Sequence, residues 1–350
     1  MVNSTTVDMP LVSVCILAFN HENYIQRAIN SVLKQSYSNI EIIVVDNNSS
    51  DRTVENIKNS FSSELNDKRI ALHQLCVNTF PSHGTNFGLT RAKGQYICLL
   101  SGDDSFAHNK VERQLEVMTE LGLSNLFTWV HVINDSDDII NNSRLEAVFN
   151  KEYSSKDIKE HFVRKGNMLC ALSGMFNRDI FEIYGGFDER LLQLQDFDLW
   201  LKIIANEDIN LLPEKLTNYR KRNDEGNLSL IPSDERIVRT EFEEIVSGRH
   251  ISNFDCDTLS SALNTSCCEE NKHSVLIDYY VKKGRLSLAM GVLLSQYDGL
   301  GEKIDFPSET YQSFFNSYSK VNFFRITSRD KKKRKGKLLI KLIRRLFGKS

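Results

Sequence analysis

Short apolar runs alternate with segments of helical periodicity along most of this chain. Leu11 to Ala18 is a strand-type run, and Ile25, Ala28, Ile29, Val32 and Leu33 follow at the i, i+3, i+4, i+7, i+8 spacing of one buried helix face. Ile40 to Val45 is apolar on both faces, as in a parallel strand covered by helices. Ser49 or Ser50 can cap a helix carrying Val54, Ile57 and Phe61. Ile70 to Leu75 predicts a third strand, Asn86 to Lys93 a short helix stopped by Gly94, and Gln95 to Leu100 a fourth strand. A helix over Asn109–Leu121 and a strand from Leu126 to Ile133 come next, then a turn at Asp135–Asp138. Residues 141–167 are less regular and read as a loop near an acceptor. Leu172 to Leu212 carries a helix, a Gly185-Gly186 turn, a helix from Asp196 that this residue can cap, and a strand at Ile209–Leu212.

This β-α-β-α-β alternation predicts an α/β fold with a doubly wound, mainly parallel sheet. Ligands of such sheets bind beyond the C-terminal strand ends. Phe19-Asn20, Asp46-Asn47 and Asp103-Asp104 all fall at such ends, so three polar clusters distant in sequence are expected to converge. Residues 1–9 are polar and expected to be loose, and Pro232 marks a domain boundary. Residues 233–330 read as a small helical extension without a motif, and 331–350 as a separate tail.

Composition adds one asymmetry. The chain has 350 residues with 44 basic and 46 acidic side chains, and ten of the basic ones lie in the last twenty residues. The body is therefore acidic, with 34 basic against 46 acidic residues, while the tail is strongly basic. Within that tail Leu339, Leu342, Ile343 and Leu346 share one helical face and Lys337, Lys341, Arg344 and Arg345 the other, the pattern of an interfacial helix on an anionic membrane. A solvated tail, a partner-docking helix and nucleic-acid binding are the rival readings, and the apolar stripe argues against nucleic acid as the main role. No apolar run is long enough to span a bilayer. Seven cysteines without metal-ligand spacing or a leader-like segment predict reduced thiols in a cytosolic compartment.

The chemistry gathers in a few short stretches. Leu99-Leu100-Ser101-Gly102-Asp103-Asp104 is a strand ending in adjacent carboxylates, hard oxygen donors suited to a divalent cation, although a turn before a helix also favours Asp. Upstream lie Val12 to Asn20 and Glu41 to Ser49. Downstream lie Gly185-Gly186-Phe187-Asp188-Glu189, Gln195-Asp196-Phe197-Asp198-Leu199-Trp200 and Tyr219-Arg220-Lys221-Arg222. In this order and spacing they resemble the family 2 glycosyltransferases, GT-A-fold enzymes that use nucleotide-activated sugars. The resemblance covers Pro10 to Ser229.

That resemblance implies roles. Asp104, with Asp103, would hold Mn²⁺ or Mg²⁺ against the donor diphosphate, and Asp103 would also contact the ribose or a metal-bound water. Asp196 would be the general base that deprotonates the acceptor hydroxyl in a single inverting displacement. Phe19, Asn20, Asp46, Asn47, Asn86, Gly186, Asp188 and Arg222 would contact the nucleotide sugar, with Phe19 stacking on the base. Asn47, Gln195 and Arg222 depart from the family's usual acid, acid and histidine, which leaves uridine preference and metal dependence open. The expected activity moves a sugar, from a UDP-sugar by preference, to a saccharide or lipid-linked acceptor for cell-surface polysaccharide or glycolipid. Its expected place is the cytoplasmic, inner face of a bacterial-type membrane, bound through 331–350. A nucleotidylyltransferase would need a Gly-rich basic loop after the first strand, and Ala18-Phe19-Asn20-His21-Glu22 is not one. A degenerate GT-A-like domain that only binds or scaffolds is the non-enzymatic alternative.

Overall fold

The computed structural model describes residues 9–141, 143–223 and 234–296, with the side chains of 234–238 excepted. The basic tail at 331–350 lies outside the described residues. The chain divides into two compact units, one running to Glu243 and one starting at Glu244.

In chain order the first unit carries β1 (Val12–Ala18), α1 (Ile25–Leu33), β2 (Ile40–Asp46), α2 (Thr53–Ser60), α3 (Ser62–Asn66), β3 (Ile70–Gln74), α4 (Pro81–Leu89), β4 (Tyr96–Ser101), β5 (Ser105–Phe106), α5 (Lys110–Leu121), β6 (Asn125–Ile133), α6 (Arg144–Phe149), α7 (Ser155–Arg164), β7 (Met175–Asn177), α8 (Asp179–Tyr184), α9 (Gln195–Ile204) and β8 (Leu211–Arg220). They build one eight-stranded sheet in the order β3-β2-β1-β4-β7-β6-β8-β5. The half β3-β2-β1-β4 is parallel; β7 is antiparallel to both β4 and β6, β6 is parallel to β8, and β5 closes antiparallel to β8. The chain steps from β1 outward to β2 and β3, then returns to the other side of β1 with β4. In the register Ala18 pairs with Asp46 and Leu17 with Ser101. The C-terminal ends of β1, β2 and β4 therefore stand side by side at the topological switch point, where open α/β sheets take ligands.

The periodicities are realised as burial. Ile25, Ala28, Ile29 and Val32 of α1 and Val111, Leu115 and Met118 of α5 are buried in the same cluster as Val12, Val14, Ile16 and Ala18 of β1. Gly122 ends α5 in the left-handed conformation at φ 63°.

Several boundaries differ from expectation. The α4 helix starts at Pro81 and ends at Leu89, because Pro81 occupies the first helical turn where its missing N–H costs nothing. Gly94 therefore does not stop that helix. It passes edge-on against β1, where an added Cβ would stand 2.6 Å from the Ser13 nitrogen and 2.7 Å from the Leu11 carbonyl oxygen. Neither Ser49 nor Ser50 caps α2. Asp51 Oδ1 accepts from the Thr53 N–H at 2.9 Å, and Ser49 Oγ instead accepts from the Asn20 N–H at 2.9 Å. Residues 141–167 contain two helices rather than an open loop. Ser143 caps α6, and Ser154 with Asp157 forms a capping box on α7. The last strand begins at Leu211, later than expected, and runs on to Arg220, since it pairs with both β6 and β5.

Helix α10 (Asp234–Gly248) begins in the first unit. The described part of the second unit holds the rest of α10, a 3₁₀ turn at Arg249–Asn253, α11 (Cys256–Leu263), α12 (Lys272–Lys282) and α13 (Leu286–Ser295). Gly291 lets α13 cross α10 closely, since a Cβ there would lie 2.5 Å from the Ile245 carbonyl oxygen.

Replacing Gly94 with Ala puts its methyl group against backbone atoms that belong to a central strand. We expect Gly94→Ala to destabilise the protein by about 1–3 kcal/mol, read as a lowered melting temperature. An unchanged melting temperature would show that β1 yields there.

Candidate active site

The end of β4 is clamped from across the sheet. Arg220, the last residue of β8, is 1% exposed. Its backbone N–H donates to Asp104 Oδ1 at 2.5 Å and its Nε to the Asp103 carbonyl oxygen at 2.7 Å. The two Nη atoms donate to the Asn134 carbonyl and to Asp137. Asp103 and Asp104 are buried. Asp103 Oδ1 accepts from Ser101 Oγ at 2.5 Å, and its Oδ2 lies 3.6 Å from Arg222 Nη1 and 3.8 Å from His21 Nε2. Burial first, and then the Asp103 charge, hold the Asp104 carboxyl well above the usual carboxylate range, against the pull of Arg220 and Arg222. The Tyr24 ring carries the guanidinium groups of Arg220 at 4.9 Å and Arg222 at 5.1 Å from its centroid. Gly102 is required for this packing, since a Cβ would lie 2.6 Å from His21 Nδ1.

Asp46 closes β2, buried, with Oδ2 accepting from the Ser49 N–H at 3.0 Å and Oδ1 left without a partner. Asn47 is fully engaged. Its Nδ2 donates to Asn78 Oδ1 at 3.0 Å and the Thr79 carbonyl at 2.7 Å, and its Oδ1 accepts from the Thr79 N–H at 3.0 Å and hydroxyl at 2.9 Å. This amide fastens the 78–79 loop to β2 and has no donor left for a ligand. Asn20 takes φ 54° and its Oδ1 accepts from the Ser50 N–H at 2.9 Å. Beside it Phe19 is 38% exposed at the mouth of the sheet.

Asn86 pairs its amide with both backbone groups of Phe187, at 2.9 and 2.8 Å, and so pins the Gly185-Gly186 turn to α4. A Cβ on Gly186 would meet Asn86 Oδ1 at 2.3 Å, while Gly185 takes φ 74°. Asp188 turns toward Arg190, which donates to it from Nε at 2.9 Å and Nη2 at 2.5 Å and holds its carboxyl below the usual range.

Asp196 lies in the first turn of α9, one residue past its start, so Leu194 rather than Asp196 is the cap residue. Its Oδ1 accepts from the Phe197 N–H at 2.7 Å and its Oδ2 from Asn167 Nδ2 at 2.8 Å. Burial nevertheless pushes its carboxyl up to about 6. A cavity of about 200 Å³ opens between the sheet and α4, and both Ser101 and Asp196 line it together with Cys15, Leu100, Gly84 and Leu172. The Cys170 thiol feels both ends of this space. Burial, then Asp104 and more weakly Asp196, raise it to about 12.

Sequence reasoning missed His21, Arg220, Asn167 and Glu243. Arg220 was visible within the Tyr219–Arg222 stretch, but only the fold tells its buried role from the position of Arg222. Glu243 had no signal. From α10 it accepts the N–H groups of Leu192, Gln193 and Leu194 at 3.0, 2.8 and 2.8 Å, and so sets the loop that delivers Asp196.

Residues 13–184 match the family model described as glycosyl transferase family 2. The chain carries a family 2 glycosyltransferase domain. Among curated relatives, an uncharacterised glycosyltransferase of Methanocaldococcus jannaschii, MJ1057, is 29% identical over 228 residues, 64% of this chain and 76% of that protein. The Escherichia coli UDP-Glc:α-D-GlcNAc-diphosphoundecaprenol β-1,3-glucosyltransferase WfgD is 28% identical over 206 residues, 59% of this chain and 74% of that protein. Residues 1–349 of S. aureus TarS, solved with UDP-GlcNAc, superpose with a TM-score of 0.58 at 19% identity, covering 88% of this chain and 79% of that one. The fold of the glycosyltransferase domain is thus GT-A-like, a mixed α/β architecture on a mainly parallel sheet.

The carboxylates of the glycosyltransferase domain fit a divalent cation. Two adjacent buried carboxyl groups are a donor set suited to a hard cation, and Asp103 and Asp104 would supply the oxygens. Among the described residues no cluster of three or more His, Cys, Asp or Glu stands ready to hold one, so diphosphate and water would complete the coordination.

A carboxyl raised in the folded state weakens folding as pH climbs from its unfolded value toward about 6, because ionising it costs more in the native site. The stability of Asp196→Asn relative to wild type should therefore shift in the variant's favour between pH 4 and pH 8. Paired thermal melts across that range check it, and a pH-independent difference would contradict the raised carboxyl.

Proposed function

We propose that this glycosyltransferase moves a sugar from a nucleotide-diphosphate sugar to a saccharide or lipid-linked acceptor, with inversion and assisted by a divalent metal. The observation that carries the reading is one cavity at the switch point, bordered by Asp196 on one wall and by Ser101, next to the Asp103-Asp104 pair, on another. A metal bound by Asp104 and Asp103 would neutralise charge on the departing diphosphate. Arg222, already beside Asp103, supports the same charge with a guanidinium. Asp196 takes the proton of the acceptor hydroxyl. The oxygen forms its bond to the anomeric carbon as the carbon–phosphate oxygen bond breaks, and the nucleoside diphosphate leaves with the electron pair. Asn167 and the Phe197 N–H keep the Asp196 carboxylate aimed while burial keeps it basic.

For the base, the unpaired Asp46 Oδ1 is the acceptor on offer, and an imide N–H such as that of uracil satisfies it. Asn47, spent on the 78–79 loop, positions this edge rather than reading it. UDP-GlcNAc in TarS and the UDP-Glc in the name of WfgD favour a UDP-sugar here, and the diphosphoundecaprenol in that name favours a lipid-linked acceptor for cell-surface glycan synthesis.

No helix among the described residues is long and apolar enough to cross a membrane. The basic stripe of 331–350 is proposed to hold the enzyme on the inner face of an anionic membrane, each basic residue contributing about 1 kcal/mol. Removing 331–350 should then release the protein from vesicles containing phosphatidylglycerol in a flotation assay. Undiminished flotation would sink the anchor.

For catalysis, UDP release from a panel of UDP-sugars with and without Mn²⁺ is the direct test. Asp104→Ala should abolish the metal-dependent part of donor binding. Asp196→Ala should spare donor binding and lower transfer by about 10²–10⁴-fold, the usual worth of a general base. Wild-type transfer should rise with pH through about 6 and then level off, following deprotonation of Asp196. Full activity in Asp196→Ala would remove this residue from the mechanism, and absence of turnover with every donor would point to a binding domain instead.

A further inference from the structure

A second cavity lies away from the catalytic one, and a break in strand pairing makes it. Along the β6–β8 ladder Phe127 pairs with Leu211 and Thr128 with Leu212, but Trp129 pairs with Lys215. Val130 then pairs with Thr217, so Pro213, Glu214 and Leu216 of β8 are left without a partner residue on β6, and a proline there has no N–H to lose. The bulge opens a cavity of about 430 Å³ lined by Trp129, Glu152, Tyr153, Ser154, Leu211 and Pro213. None of these residues takes part in the catalytic site. His161 packs edge-on against the Tyr153 ring at 5.8 Å, and Lys151 Nζ stands 5.0 Å from its centroid, so the ring is held in place. The Trp129 indole nitrogen is buried and has no hydrogen-bond partner.

We propose that this cavity is a saccharide-binding subsite that takes a neutral sugar unit of an extended acceptor, remote from the point of transfer. Two aromatic rings and a proline offer flat apolar surface to the C–H face of a pyranose. The Glu152 carboxylate accepts from sugar hydroxyls and repels an anionic ligand. The volume falls in the range of ordinary ligand sites. An acyl chain matches it less well, because it would desolvate Glu152 without a partner. The position matters as much as the lining. Leu211 lines this cavity and Arg220 braces Asp104 at the other end of the same strand. At about 3.3 Å per residue the two ends are roughly 30 Å apart before the bulge shortens the path. A saccharide chain following β8 would meet both, and a single acceptor sugar would not. That link to an acceptor rests on the transferase reading above; sugar binding in the pocket does not.

The chain supplies its own reporter. It has two tryptophans, and Trp200 is fully buried among Phe127, Phe176 and Phe187, which leaves Trp129 as the emitter that a ligand can reach. The full chain is titrated with maltooligosaccharides and N-acetylchitooligosaccharides of increasing length while tryptophan emission is followed. A saturable change with at least one series is expected, weakened at least tenfold in Tyr153→Ala and severalfold in the milder Glu152→Gln. Both variants should keep wild-type nucleotide-sugar hydrolysis, and on long acceptors their KM should rise with kcat unchanged. No emission change with any sugar, or equal affinity in Tyr153→Ala, overturns the subsite. Sugar binding at Trp129 without any nucleotide-sugar turnover would overturn the transferase reading and leave the subsite standing, whereas turnover without a Trp129 response would do the reverse.

Discussion

The buried guanidinium of Arg220 is the interaction on which the site depends. The parallel half of the sheet ends at β4, which pairs with the short antiparallel β7 and runs on through residues 102–104 into β5, itself paired with β8. Arg220 ties the β4 terminus directly to β8 and to the Asn134–Asp137 turn after β6. Burying a charge is costly unless it is paired and hydrogen-bonded, and here Nε and both Nη atoms have acceptors, one of them the Asp137 carboxylate. The same clamp opposes, without outweighing, the burial that raises the neighbouring Asp104 carboxyl. Asp103 and Asp104 are adjacent and buried, and Arg220 and Arg222 place positive charge beside them.

Asp196 shows the complementary arrangement. Asp188, eight residues earlier, is locked by a forked contact with Arg190 and sits below the ordinary range; Asp196 has no cation in its hydrogen-bonding shell and sits near 6. Two aspartates of one short segment are thus pushed apart by their surroundings, one into a structural ion pair and one into a basic, aimed carboxylate. Glu243 makes this possible by taking up three backbone N–H groups of the loop between them. The energetic burden at Asp196 is carried by that loop and by the aromatic core under α9, where Trp200 stacks on Phe176.

Much of this architecture was legible in the sequence because it follows from local pattern. The strands ending at Ala18, Asp46 and Ser101, the buried face of α1 and the apolar face of α5 are all written in spacing. What was not legible depends on partners distant in the chain. Asn47 looked like a ligand-facing residue because it follows a strand, but its four hydrogen bonds go to residues 78 and 79. Asn86 and Gly186 were separate candidates, and they proved to be the two halves of one contact. The helices in 141–167 had a readable signal in Ser154 and Asp157, a capping box hidden by weak apolar periodicity. Glu243 had none, because a helix with an acidic face reads as solvated until its buried position is known.

Strand β8 joins these observations. Its C-terminal residue orients the carboxylates at the switch point, and its N-terminal residues break register with β6 to open the aromatic cavity beside Trp129. A register break in a strand tied at both ends concentrates local twist, so the position of the bulge and the placement of Arg220 are mechanically linked. Restoring regular pairing would need Pro213, Glu214 and Leu216 to be absorbed, moving the residues beyond them by three along β6. Arg220 would then no longer meet Asp104. The cavity beside Trp129 and the Arg220 clamp on Asp104 therefore depend on the same three-residue offset between β6 and β8.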